Sequence, residues 1–300
     1  MDSKVKADFC IEIDFQKGSE SPSRIFRAMT EIIETFQEID ITLIRSIDTK
    51  IEPIALIEDV ETGSLKAWLK YALRETDDEA LKQLDWKPAV GKYLVKAKYF
   101  ILNFIDKKTE IVSREEVEQL EKQLLQAAEE TDVTNMPSYT VVQRQKLLPQ
   151  IGRLTNALKI LNENDKAIYI YAENEIRMNA CFNYIPENIE TLLTQEEIIS
   201  TSEMILKVKK PDYLGESMWE FRHGTRQITA KILHQEWLKE FQDRKIDIRP
   251  GDSLRSIVNT VVKYGYDNEV VGTHYEINEI KEVIPLINYS QLNLLPPNKE

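Results

Sequence analysis

The chain is poor in the residues on which most enzyme chemistry depends. Its 300 residues include two cysteines, three histidines and nine glycines. Cys10 and Cys181 stand far apart and alone, so they supply neither a disulfide framework nor the thiols of a zinc site, and a reducing, cytoplasmic setting is the expectation. His223, His234 and His274 form no Cys/His nucleophile arrangement, and neither G-x-S-x-G nor H-x-x-E-H occurs. No glycine falls in a G-x-x-x-x-G-K-[ST] or G-x-G-x-x-G string, which excludes the familiar phosphate-cradling loops. Long apolar runs are also missing. The most membrane-like stretch, residues 89–105, is short for a span and is broken by Lys92, Lys96 and Lys98. The first residues, MDSKVKADF, have no apolar signal core. No catalytic residue, no cofactor, no metal and no membrane partner is therefore expected.

What is present is an ordinary globular composition, 42% hydrophobic and 30% charged, with a net charge of −12. Residues 203–285 carry 13 Lys and Arg against 14 Asp and Glu, so nearly all of the negative excess lies before them. An acidic body repels nucleic-acid phosphate at long range, while a near-neutral region does not. The length supports about two domains.

Periodicity divides the chain into three parts. In FCIEIDF, Phe9, Ile11, Ile13 and Phe15 alternate with polar residues, a half-buried strand. Ser21-Pro22-Ser23 opens a helix to about Glu38, with Ile25, Met29, Ile32 and Phe36 on one stripe. Residues 41–47, 51–60 and 65–73 read as strands, the last two as a hairpin across Gly63-Ser64, which makes an antiparallel meander. Residues 65–73 also fit a helix, and the Gly-Ser turn decides for the strand. Residues 1–75 are thus expected to form an α+β layer domain. Residues 76–165 read as a helical segment, with helices from Asp77-Asp78-Glu79, over 90–105, after a capping box at Ser113–Glu116 and over 150–162, and a linker near 131–149. A hairpin over 167–172 and 177–184 opens a β-rich domain, 166–290, before a loose tail, 291–300. Further strands are expected over 205–209, 218–221, 227–233, 254–263 and 270–280, with a helix over 235–242 and a turn at Arg249–Asp252. Five strands and one helix resemble a small OB-like or SH3-like barrel in architecture.

Three groups of residues carry chemical possibilities. Arg222-His223-Gly224 resembles the RHG motif of histidine phosphatases, which implies a phosphate-accepting His223 flanked by Arg222 and Arg226. That motif opens a large α/β domain, whereas fewer than eighty residues follow Arg226 here, so a hairpin turn is the reading adopted. Asp77, Asp78, Glu79 and Asp85, and separately Glu58, Asp59 and Glu61 beside Gly63, offer oxygen ligands, but consecutive acids on a helix point in different directions and the second run lacks calcium-loop spacing. Lys207, Lys209, Lys210, Tyr213, Trp219, Arg222 and Arg226 form a basic-aromatic cluster of the kind that single-stranded nucleic acid uses, set against the alternative that Trp219 and Tyr213 are core and the lysines solvated.

Two function classes follow. The first is a non-catalytic interaction or assembly protein that binds itself or a larger protein partner through apolar strand edges and helix stripes. The layout also resembles uncharacterised bacterial proteins associated with mobile-element or antiphage gene clusters, which implies an accessory or sensor role. The second is nucleic-acid or nucleotide binding through the face around residues 207–226. A carboxylate enzyme built on Asp14, Glu58 and Asp59 is the third expectation.

Overall fold

In the computed structural model, which describes residues 7–18, 21–48, 50–61, 64–75, 86–249 and 251–286, the alternating FCIEID run is strand β1, Phe9–Asp14. Phe9, Ile11 and Ile13 are buried, as the alternation requires, and Cys10 on the opposite face is buried as well. Two units make up the chain, Met1–Leu192 and Leu193–Glu300. Among the described residues they contain six α-helices and two sheets, a mixed α+β protein.

In the first unit, helix α1 spans Ser23–Arg45 and does not stop near Glu38. The strand expected over 41–47 is its last turns. Ile32, Phe36, Ile39 and Leu43 are all buried at three- and four-residue spacing, while Ile41 is exposed, so the helical period prevails over the local alternation. The expected meander is corrected accordingly. Strands β2, Ile51–Glu61, and β3, Leu65–Glu75, form the antiparallel hairpin, and β3 then pairs with β1 (Ile11 opposite Ala67). Helices α2, Lys87–Ile105, and α3, Arg114–Glu130, follow. At the start of α3 the Ser113 hydroxyl accepts the Glu116 N–H, and the Glu116 carboxylate reaches back to the Val112 N–H. Helix α4 covers Arg144–Leu158, so the linker expected to run to Pro149 ends at Gln143 and the helix expected over 150–162 lies earlier. Pro149 lies inside it at an exposed position, where the ring costs the helix one backbone hydrogen bond.

Strands β4, Lys166–Tyr171, and β5, Asn174–Arg177, form the expected hairpin with a shorter second arm. Its place differs from expectation, because β4 pairs with β1 (Ile11 opposite Tyr169) and completes the order β2-β3-β1-β4-β5. The hairpin thus belongs to the first sheet, and residues 166–177 do not open the C-terminal domain. Tyr169, Phe9 and Phe36 pack ring to ring at 5.5–5.6 Å between sheet and helix.

The second unit follows α5, Pro186–Leu193. Its strands are β6, Thr194–Lys210, β7, Trp219–His223, β8, Arg226–Ile232, β9, Ser253–Gly265, and β10, Val270–Ile284, with α6, Gln235–Gln242, between β8 and β9. They close as a barrel in the order β10-β8-β7-β6-β9, with β8 and β10 parallel and the other pairs antiparallel. Leu206, Val208, Trp219, Phe221, Leu254 and Val258 fill the interior, and α6 adds Trp237, Leu238 and Phe241. The turn at Arg249–Asp252 has Gly251 at φ +100° and an Asp252 N–H bonded to the Arg249 carbonyl, as a type II turn requires, while Pro250 lies outside the described residues. The helix from Asp77 and the tail 291–300 also lie outside them.

Candidate functional site

The barrel sorts the basic-aromatic cluster by strand parity. On β6 and β7, Leu206, Val208, Trp219 and Phe221 point inward, so Lys207, Lys209, Glu220 and Arg222 point outward. Lys207 lies opposite Arg222, and Arg222 opposite Gln227, which places the two cations in one cross-strand row. Lys209 Nζ donates to Gln227 Oε1 at 2.6 Å, Arg222 Nε to the Gly224 carbonyl at 3.0 Å, and Lys210 lies 3.8 Å from Glu220. Arg226 is exposed beside His223 at the end of the β7–β8 hairpin. Lys231, outward on β8, joins this face and was missed because it stands alone in sequence.

The aromatic half of the cluster is elsewhere. Trp219 is 1% exposed in the barrel core, 4.9 Å from Phe241, so it has no face to offer a base. Tyr213 is 58% exposed on the β6–β7 loop, with one face stacked on Phe241 at 5.3 Å. Asp212 organises that loop. Its carboxylate accepts the Ser217 hydroxyl and the N–H groups of Leu214, Gly215 and Ser217, and these bonds, the Ser217 hydroxyl first, bring its pKa down to about 2.

The RHG string is a hairpin turn. Gly224 has φ +59° and sits first of the two residues between His223 and Arg226, the glycine position of a type II′ turn. His234 Nδ1 accepts the Ile280 N–H at 3.0 Å, a structural role beside α6. Among the carboxylates, Asp59 accepts the Val60 N–H and Glu61 the Trp68 indole, and β3 lies between β2, which carries them, and Asp14 on β1. Asp77, Asp78, Glu79 and Asp85 lie outside the described residues. Among the described residues no group of three or more His, Cys, Asp or Glu is placed to hold a metal ion. No helix among them is long and apolar enough to cross a membrane.

Two features were not anticipated from sequence. One is a buried titratable cluster in the first unit. Lys98 Nζ bonds both Asp40 and the Tyr71 hydroxyl, with its side chain wholly buried and 4.8 Å over the Tyr71 ring. Burial pushes the Asp40 carboxyl up and the Lys98 amine down, against their mutual attraction. Lys98 falls on the apolar stripe of α2 between Leu94 and Ile101, which is the signal that marks it in the sequence. The second is the edge of β6. From Gln195 to Glu203 every residue is exposed, Ile198 and Ile199 by 49% and 59%, and β6 pairs there with β9 alone, since β7 begins to pair only at Lys207. No alternation marks such a strand, because neither of its faces is buried.

The first unit also carries clefts. A groove of about 390 Å3 in the first unit is lined by Phe15, Pro22, Ile25, Phe26, Val60 and Leu65. A cleft of about 710 Å3 at the C-terminal ends of α2 and α4 carries Lys107, Lys159, Lys166 and Arg177 beside Asp106 and Glu163. Lys107 and Lys159 complement helix dipoles there. Set against known proteins, the chain matches no family model, no curated protein and no solved structure.

Proposed function

We propose that the protein is a non-catalytic assembly component that associates with itself through its barrel unit. The observation that carries this reading is the β6 edge, nine consecutive residues exposed on both faces and bearing two adjacent isoleucines. A strand edge presents unpaired N–H and C=O groups as a template for another strand, and folded proteins ordinarily blunt such edges with lysine, proline or a bulge. Between Gln195 and Met204 there is no lysine, no proline and no interruption of the register after Glu196. Its acids are partly neutralised from β9 and β10, by Lys263 on Glu197 and by Arg255 and Lys281 on Glu203. The test is the mass of the purified protein by light scattering at low and high salt, with the 260/280 nm absorbance ratio recorded. A multiple of the 35.0 kDa chain that persists at high salt and carries no nucleic acid is expected. A monomer at both salt concentrations overturns the reading.

A second reading has its own support. We read the barrel as OB-like: a long first strand shared between two neighbours, the third strand parallel to the fifth, and a single helix between the third and fourth. OB barrels bind oligonucleotides on the face of strands 2 and 3 and at the loops beside them. Here that face is β7–β8 with the β6–β7 loop, where Arg222, Lys231 and Tyr213 lie, and Lys207 and Lys209 adjoin it on the end of β6. Glu220, and the absence of Trp219 from this surface, make it the less favoured of the two readings.

A further inference from the structure

The β6 ladder determines which backbone groups face outward. The Val208 N–H donates to the Asp252 carbonyl at 2.9 Å, and the same register, Lys207 opposite Ser253 and Thr201 opposite Asn259, continues unbroken to Glu196. Even-numbered residues of β6 therefore bond to β9. Odd-numbered residues turn their N–H and C=O groups to the other side. At Lys207 that side meets Arg222 of β7, and at Glu197, Ile199, Thr201 and Glu203 no strand lies there among the described residues.

We propose that the occupant of this edge is a second copy of the same strand, paired antiparallel about a two-fold axis at Ile199. The proposal rests on the self-association reading above and specifies its geometry. Three observations converge on this register. A two-fold axis perpendicular to a sheet pairs residues of one parity, so only axes passing through a residue are allowed. Ile199 is the midpoint of the exposed stretch Gln195–Glu203, so an axis there gives the longest overlap. The charges are compatible with this axis and exclude two others nearby. About Ile199, Glu196 faces Ser202, Glu197 faces Thr201, Glu203 faces Gln195, and Ile199 faces itself. An axis one residue later, at Ser200, sets Glu197 against Glu203 twice, and one at Glu197 sets that residue against its own copy. Like charges directly opposed destabilise a ladder, whereas apolar pairs support it. Joined in this way, β10, β9 and β6 of two copies make one continuous six-stranded sheet with the Ile199 pair at its centre.

The geometry gives a test that does not depend on destabilising the chain. Ile199 would exchange both backbone hydrogen bonds with its own copy, a pair whose Cα atoms lie about 5.5 Å apart, within the roughly 4.4–6.8 Å that a disulfide spans. In a Cys181→Ser background, which removes the exposed thiol and leaves only buried Cys10, Ile199→Cys should oxidise to a covalent dimer. Glu203→Cys should not, because its two copies lie ~27 Å apart along the paired strands. Ile199→Pro removes an outward N–H that β9 does not use, so the chain should keep its circular-dichroism spectrum and run at 35.0 kDa rather than twice that mass. Ile199→Lys, which places like charges on the axis, should do the same. A dimer that survives both substitutions and does not cross-link at position 199 overturns the proposed pairing and leaves self-association standing. An unmodified chain that is monomeric overturns both.

Discussion

Lys98 is where a single side chain most affects the first unit. Its ammonium is buried with Asp40 and Tyr71, and Phe9 contributes a ring 5.2 Å away. Two charges in that position have each given up water, so their attraction offsets a desolvation cost of several kcal/mol per ion. Removing one partner leaves the other buried and uncompensated. Lys98→Met should therefore lower unfolding stability by about 3–5 kcal/mol, whereas replacing the whole cluster, Lys98→Met with Asp40→Leu and Tyr71→Phe, should restore it to the parent level or above. Urea midpoints for the parent, single and triple variants decide the matter. A triple variant as weak as the single one would mean that the cluster stabilises the fold in its own right. Lys98 also shows why the sequence misleads at this scale. A lysine in an apolar stretch reads as a membrane breaker, and only its partner's position, 58 residues earlier in α1, turns it into a core residue.

At the scale of elements, Asp165 joins three of them. Its carboxylate accepts the Arg24 guanidinium at 2.9 Å from α1, the Gln16 N–H from the chain leaving β1, and the Asn162 N–H from the turn after α4. Burial raises its pKa, but these donors outweigh burial and hold it below its ordinary 3.8. A carboxyl depressed in the folded state contributes stability that is complete above its unfolded pKa and is lost as pH falls through the folded value. Asp165→Asn should thus cost about 3 kcal/mol at neutral pH by breaking a buried pair, and the gap between parent and variant should narrow below pH 3.8. Urea midpoints at pH 7 and pH 3 measure it, and a gap of constant size contradicts the assignment. Elements whose one face is buried were legible in the sequence: β1, the β2–β3 hairpin, α3 with its cap, and α6 at its full extent. Misreadings arose where two periods coexist or none does. Residues 41–47 alternate locally yet continue the α1 stripe through Ile39 and Leu43. The first ten residues of β6 have no buried face to alternate. The partnership of β4 with β1 spans more than 150 residues and leaves no local trace. Of the candidate surface, the cations other than Lys231 were legible because outward residues follow strand parity. Trp219 was not separable from them, since an aromatic beside cations reads the same whether it points in or out.

At the scale of the whole molecule, charge separates the two proposed surfaces. The net −12 works against any phosphate approaching from a distance, and salt screens that repulsion together with the local attraction of Lys207, Lys209, Arg222 and Lys231. Pairing at the β6 edge depends on backbone hydrogen bonds and isoleucine contacts, which added salt does not weaken. Nucleic-acid binding on the β7–β8 face would instead release counterions, with log K falling against log salt at about 0.7 per single-stranded phosphate engaged. For a fluorescent oligothymidine and the full chain, that reading expects binding confined to low salt. Arg222→Ala, which leaves the barrel interior untouched because the side chain points outward, should then reduce the slope by about 0.7, while Trp219→Phe should leave it unchanged. Anisotropy across a salt series measures both. A slope indifferent to Arg222, or no binding at the lowest salt, removes the cation row from consideration. Because the row and the edge lie on different stretches of β6, Lys207–Lys210 and Gln195–Glu203, Ile199→Pro should abolish the dimer without altering that slope, and a coupled loss would show that the two surfaces act as one.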